Sequence, residues 1–155
     1  MRKFGSYRFN MQMNGNNNYV DRNSKPNVGE LFFEDYCHAK GYFIKRLGFD
    51  EKNNSVPSFF NINACIRNLP DYYVENKDGS KLVMVKGTGN IKQKEYELMP
   101  QFAIWYDSIK CPLVYAFCFK DKKPLLFTLD QVTSLYEQST DKQWPDGVIY
   151  RNLNI

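Results

Sequence analysis

Three residues of this chain have types and spacing that could act together. Asp71 follows Pro70 at the head of one β-rich segment, and Lys86 closes the next, Lys81 to Lys86. Between them Asn76-Lys77-Asp78-Gly79-Ser80 has the composition of a hairpin loop. Antiparallel strands joined there set Asp71 and Lys86 at the same edge of a sheet. Glu30 belongs to the first turn of a helix expected to pack over that sheet. Two acids and a lysine around one point are the parts of a metal-assisted phosphodiester hydrolysis site. Carboxylates offer hard oxygen ligands to Mg²⁺ or Mn²⁺. Such an ion lowers the pKa of a bound water and stabilises charge on the phosphate. The lysine orients that water or neutralises developing charge.

Positioning these residues requires a particular run of elements. Asn27 followed by Glu30 has capping-box spacing, and Leu31, Phe32, Tyr36 and Cys37 recur near helical period, so a helix is expected over 28–40, stopped by Gly41. Tyr42 to Leu47 reads as a strand. Gly48 to Pro57 is turn-rich, and Ser58 to Ile66 fits helix or strand. A strand begins after Pro70, because proline cannot donate a ladder hydrogen bond. Lys81–Lys86 is its return partner, broken by Gly87-Thr88-Gly89-Asn90. Lys92 to Asp107 is expected to be helical, with Pro100 starting a new helix or kinking the old one. Pro112 to Phe119 is an apolar run of the kind buried on both faces. Leu125–Thr128 (strand), Asp130–Gln138 (helix) and Val148–Tyr150 (strand) follow. The expected fold class is α/β, with an αβββαβ core, a mixed sheet flanked by helices, and a C-terminal β-α-β appendage.

Composition bounds what this arrangement can be. The 155 residues suit one domain, and 43% apolar with 12 Phe, 11 Tyr and 2 Trp suffices for a core, which excludes wholesale disorder. The longest uncharged apolar run, Pro112–Phe119, is far below the ~20 residues of a membrane span. Met1-Arg2-Lys3-Phe4 leads into polar chain rather than an apolar signal region. A single histidine, His38, excludes a multi-histidine metal site. Cys37, Cys65, Cys111 and Cys118 lack C-x₂-C spacing and read as reduced structural thiols in an intracellular protein. Five asparagines among residues 10–18 mark residues 1–26 as an irregular arm, ahead of a single domain over 27–155. The net charge of +4 fits a polyanionic partner.

The order of elements over residues 28–119, about 60% of the chain, resembles the PD-(D/E)XK superfamily of restriction-endonuclease-like nucleases. Pro70-Asp71 is similar to the family's PD, and Met84-Val85-Lys86 to its (D/E)XK strand. Glu30 is similar to the acid many members carry on the first helix. Gln101 and Trp105 resemble a Q-x-x-x-Y helix with tryptophan in place of tyrosine. The resemblance implies a Mg²⁺- or Mn²⁺-dependent deoxyribonuclease. Asp71, Glu30 and the main-chain carbonyl of Val85 would be metal ligands, and Asp71, Lys86, Glu30 and Glu97 the catalytic set. Lys81, Lys92, Lys94 and Gln101 would contact DNA. Members of this size often dimerise, so a homodimer is the matching expectation. The Asn- and Lys-rich composition points to an AT-rich genome, such as that of a phage or a low-GC bacterium.

The family's acid at the (D/E) position is Met84 here, and a thioether is too soft to replace a carboxylate on Mg²⁺. One reading moves the acid to the following helix, at Glu95 or Glu97, or to Glu30. The other is a catalytically inactive nuclease-fold protein that binds nucleic acid or a protein partner. Taken singly, each residue also has an ordinary role: Glu30 in helix capping, Lys86 as a solvated strand end, Met84 in a core.

Overall fold

The computed structural model describes residues 27–47 and 68–155. The expected arm over 1–26, the loop 48–57 and the segment 58–66 with Cys65 lie outside the described residues. Helix α1 spans Val28–Ala39, and its start is the expected capping box. The Asn27 side chain accepts from the Glu30 amide at 2.9 Å, and the Asn27 amide donates to Glu30 Oε2 at 3.0 Å. The apolar stripe differs from expectation: Phe33 and Cys37 are buried, whereas Leu31 is 46% exposed.

Strands β1 (Phe43–Arg46), β2 (Tyr72–Asn76) and β3 (Gly79–Lys86) follow. The β2–β3 hairpin turns at Lys77-Asp78, where Asn76 Oδ1 accepts the Asp78 amide and Gly79 takes φ +114°, a conformation that favours glycine. Next come β4 (Asn90–Lys92), α2 (Gln93–Ser108), β5 (Leu113–Phe117), β6 (Leu125–Thr128), α3 (Leu129–Glu137), β7 (Asp141–Gln143) and β8 (Ile149–Asn152). The main sheet runs β1-β2-β3-β5-β6, with β3 and β5 parallel and the other neighbours antiparallel.

Helices cover both faces of that sheet. Val83, Val85, Tyr72, Val74, Ala116 and Cys118 pack with Phe33 and Cys37 of α1. On the other face Leu82, Met84, Tyr115 and Phe117 pack with Met99, Phe102 and Tyr106 of α2 and with Val132 and Tyr136 of α3. Strand alternation sorts the side chains of β3 between these two layers. The core order is the expected αβββαβ, a mixed sheet with helices on both faces.

Three details differ from the sequence reading. Pro100 does not start a new helix, because α2 runs through it. Its missing hydrogen bond is offset by Met99, Phe102 and Tyr106, all buried on one stripe. Strands β4 and β7 were not expected. The β-α-β order at the C-terminus is present as β6, α3 and β8, but its strands are shared between sheets: β6 is an edge of the main sheet, and β8 is the centre of a small sheet ordered β4-β8-β7.

Candidate functional site

Pro70 and Asp71 stand where β2 runs out. The last β2–β3 pair is Tyr72 with Val83, so the Val85 amide lies beyond the ladder. The Asp71 side chain fills that place, Oδ2 accepting from the Val85 amide at 2.7 Å. This bond fixes the carboxylate at the end of β3, beside Lys86, and leaves Oδ1 for another partner. Burial raises the Asp71 pKa from 3.8 to about 6. The Val85 hydrogen bond and the Lys86 charge oppose that rise, while the charges of Glu30 and Glu95 add to it. Asp71 therefore feels two other acids and one lysine.

Lys86 does not end in solvent. Its Nζ donates to Glu95 Oε2 at 2.6 Å, and Glu95 Oε1 accepts from the Tyr115 hydroxyl at 3.0 Å. Chain geometry makes this meeting possible. After Lys86 the chain passes Gly87-Thr88-Gly89, forms the short β4 and turns into α2, whose first turn carries Glu95. The Tyr115 hydroxyl is held protonated by its burial and by the adjacent Glu95 charge, which push its pKa well up.

Glu30 approaches from the other layer. A Cβ on Gly29 would meet Gly87 Cα at 2.8 Å, so only glycine lets the start of α1 touch the chain just after Lys86. Glu30 is buried, which raises its pKa, and Arg46 Nη2 lies 3.4 Å from its Oε2. One oxygen thus serves both the capping box and the Arg46 pair.

The remaining expected residues divide. Glu97 is exposed, and the group it perturbs is Tyr136, not Asp71. On a helix, residues 95 and 97 lie about 200° apart, so they cannot face the same point. Glu95, in phase with the buried Met99, Phe102 and Tyr106, is the acid that reaches Lys86. That phase was readable in the sequence. Lys81 is five residues from Lys86, about 17 Å along the strand and on the opposite face, so it is not beside the site. Gln101 is half-buried on α2, six residues beyond Glu95, or about 9 Å along the axis. Lys94 is exposed in the first turn of α2, and Lys92 ends β4. Met84 is 6% exposed and packed in the core, so its sulfur is no ligand. Sequence reasoning missed Tyr115 and Arg46, which sit on β5 and β1 with no motif to mark them.

The donor chemistry, carboxylate and carbonyl oxygens, is of the kind a hard divalent cation takes. In number the set is lean. Among the described residues no three His, Cys, Asp or Glu side chains converge closely enough to hold a metal ion.

No family model and no curated protein matches the chain. Among solved structures it is similar to Hjc, a Holliday junction resolvase from the archaeal hyperthermophile Archaeoglobus fulgidus. The TM-score is 0.44 at 13% identity, over 80% of this chain and 88% of that one. Among the described residues no helix is long and apolar enough to cross a membrane.

Proposed function

We propose that the chain is a metal-dependent nuclease that hydrolyses phosphodiester bonds of DNA at the Asp71–Lys86–Glu95 site. The supporting observation is the Lys86–Glu95 contact at 2.6 Å beside an Asp71 whose carboxylate is tied to the neighbouring Val85 amide. Glu95 supplies from α2 the acid that Met84 lacks on β3. Asp71, the Val85 carbonyl and Glu95 would hold Mg²⁺ or Mn²⁺, while Glu30 stays with its capping box and Arg46. When bound, the ion acidifies a water and offsets charge on the phosphate. Lys86 presents an ammonium to the attacking water or to the phosphoryl oxygens, where negative charge builds in the transition state. Tyr115 holds Glu95 in orientation through Oε1, leaving Oε2 for Lys86 or a cation.

The test is cleavage of labelled single- and double-stranded DNA with Mg²⁺ or Mn²⁺. Cleavage should vanish in EDTA and in Asp71→Ala and Lys86→Ala. Cleavage that survives both substitutions removes this site from the reaction. The second reading, a nuclease fold that binds DNA without cutting it, has one observation in its favour, the lack of three converging metal-ligating side chains among the described residues. Salt-sensitive DNA binding with no cleavage in either metal would establish it.

A further inference from the structure

The small sheet has an outer face that the candidate site does not use. Its registers set Lys92 opposite Tyr150, and Tyr150 opposite Lys142, in one row across β4, β8 and β7. Trp144, two residues beyond Lys142, falls on the same side. The reverse side holds Ile91, fully buried, and Arg151, whose guanidinium lies 4.6 Å from the Tyr136 ring centroid. That side faces the core, so the Lys92–Tyr150–Lys142 row faces out.

On this outer face the Trp144 and Tyr150 rings are stacked, centroids 4.2 Å apart and planes 14° from parallel. Lys92 Nζ lies 5.9 Å from the Trp144 centroid. Both rings are half-buried, and both lysines are exposed. The acids of this hairpin are engaged elsewhere: Asp141 pairs with Arg151 at 2.6 Å, and Asp146 Oδ1 accepts the Val148 amide. Hairpin packing explains why two rings meet. It does not explain cross-strand lysines on either side of an accessible ring pair. Flat rings between cations match the chemistry of unpaired bases and their phosphates.

We propose that this face binds single-stranded DNA, with a base stacked on the Trp144–Tyr150 pair and Lys92 and Lys142 on the flanking phosphates. Lys92 directly precedes α2, three residues before Glu95, and β4 follows Lys86 after three residues. On the nuclease reading, a strand held here is joined to the site through β4 and the start of α2, and the substrate class is a duplex with an unpaired flank. That last step rests on the nuclease reading; the binding does not.

The test is anisotropy of a labelled thymidine oligomer, about twelve nucleotides long, with the full chain in EDTA. Trp144→Leu and Tyr150→Leu should each weaken binding roughly tenfold, and Trp144→Phe should retain most of it. Lys92→Gln with Lys142→Gln should lower the slope of log affinity against log salt by about 1.4. Blunt duplex binding should be unchanged in the three ring variants. Unchanged oligomer affinity in a Trp144→Leu variant with a normal melt would overturn the proposal. So would an equal loss of duplex binding, or competition by a glutamate peptide as strong as that by DNA of equal charge. If the leucine variants do not fold, the exposed lysine pair decides. The roughly tenfold loss caused by Trp144→Leu should persist in an Asp71→Ala background that does not cleave, so a failure of cleavage and a failure of this surface read out separately.

Discussion

Lys86 Nζ and Glu95 Oε2 lie 2.6 Å apart, joining the end of a buried strand to the first turn of the helix that crosses over it. Glu95 also accepts from the Tyr115 hydroxyl, so one carboxylate satisfies a cation and a buried phenol. Removing it strands both. Glu95→Ala should destabilise the chain by about 1–3 kcal/mol, whereas Glu97→Ala, on the exposed face, should stay within about 0.5 kcal/mol. Denaturant midpoints of the two variants, compared with the parent, check this directly.

Asp71 should trade stability for function. Its folded pKa of about 6 lies above the reference 3.8, so between those values the folded state holds a proton that the unfolded state has lost. Stability therefore falls as pH rises through that window, and the loss is complete above about pH 6. At 1.36 kcal/mol per tenfold change in proton affinity, the cost is bounded at about 3 kcal/mol. Asp71→Asn keeps an acceptor for the Val85 amide and carries no charge. Thermal melts should show it more stable than the parent at pH 8, with the gap closing below pH 4, while cleavage is lost. A parent protein whose activity does not rise through pH 6 would separate Asp71 ionisation from the reaction.

Gly29→Ala offers a test of opposite sign from the usual helix rule. Alanine in an exposed helical position stabilises by about 1 kcal/mol relative to glycine. Here its Cβ would stand 2.8 Å from Gly87 Cα, so α1 must retreat from the end of β3. The expected result is destabilisation by about 1–3 kcal/mol, with reduced cleavage as the chain beside Lys86 shifts. Gly87→Ala meets the Gly29 backbone no closer than 3.6 Å and should be milder in both melts and rates.

These relations were unevenly legible in the sequence. The first helix was readable because its capping box is local. The β2–β3 hairpin and the parallel β3–β5 pair were readable because loop chemistry and apolar runs mark them. Strands β4 and β7 were not, since Asn-Ile-Lys and Asp-Lys-Gln are short, largely polar and held by their partner β8. Pro100 points to a new helix or a kink; α2 runs through it, since the burial of Met99, Phe102 and Tyr106 outweighs one lost hydrogen bond. In the site, Asp71 and Lys86 were legible from their strand positions. The sequence leaves the helix acid open between Glu95 and Glu97, and Glu95 is the one that contacts Lys86. Extending the buried stripe back one turn from Met99 selects Glu95. Tyr115 and Arg46 depend on packing between layers, which no local pattern encodes.

The most direct measurement is the rate of Mn²⁺-dependent DNA cleavage by Glu95→Gln beside Glu97→Gln. Each substitution removes one negative charge from the same helix turn, so bulk electrostatics change equally. If Glu95 supplies the acid missing at Met84, Glu95→Gln falls by roughly 100-fold or more and Glu97→Gln stays close to the parent. Equal rates in the two variants, or a loss confined to Glu97→Gln, would contradict the assignment of the reaction to the Asp71–Lys86–Glu95 site.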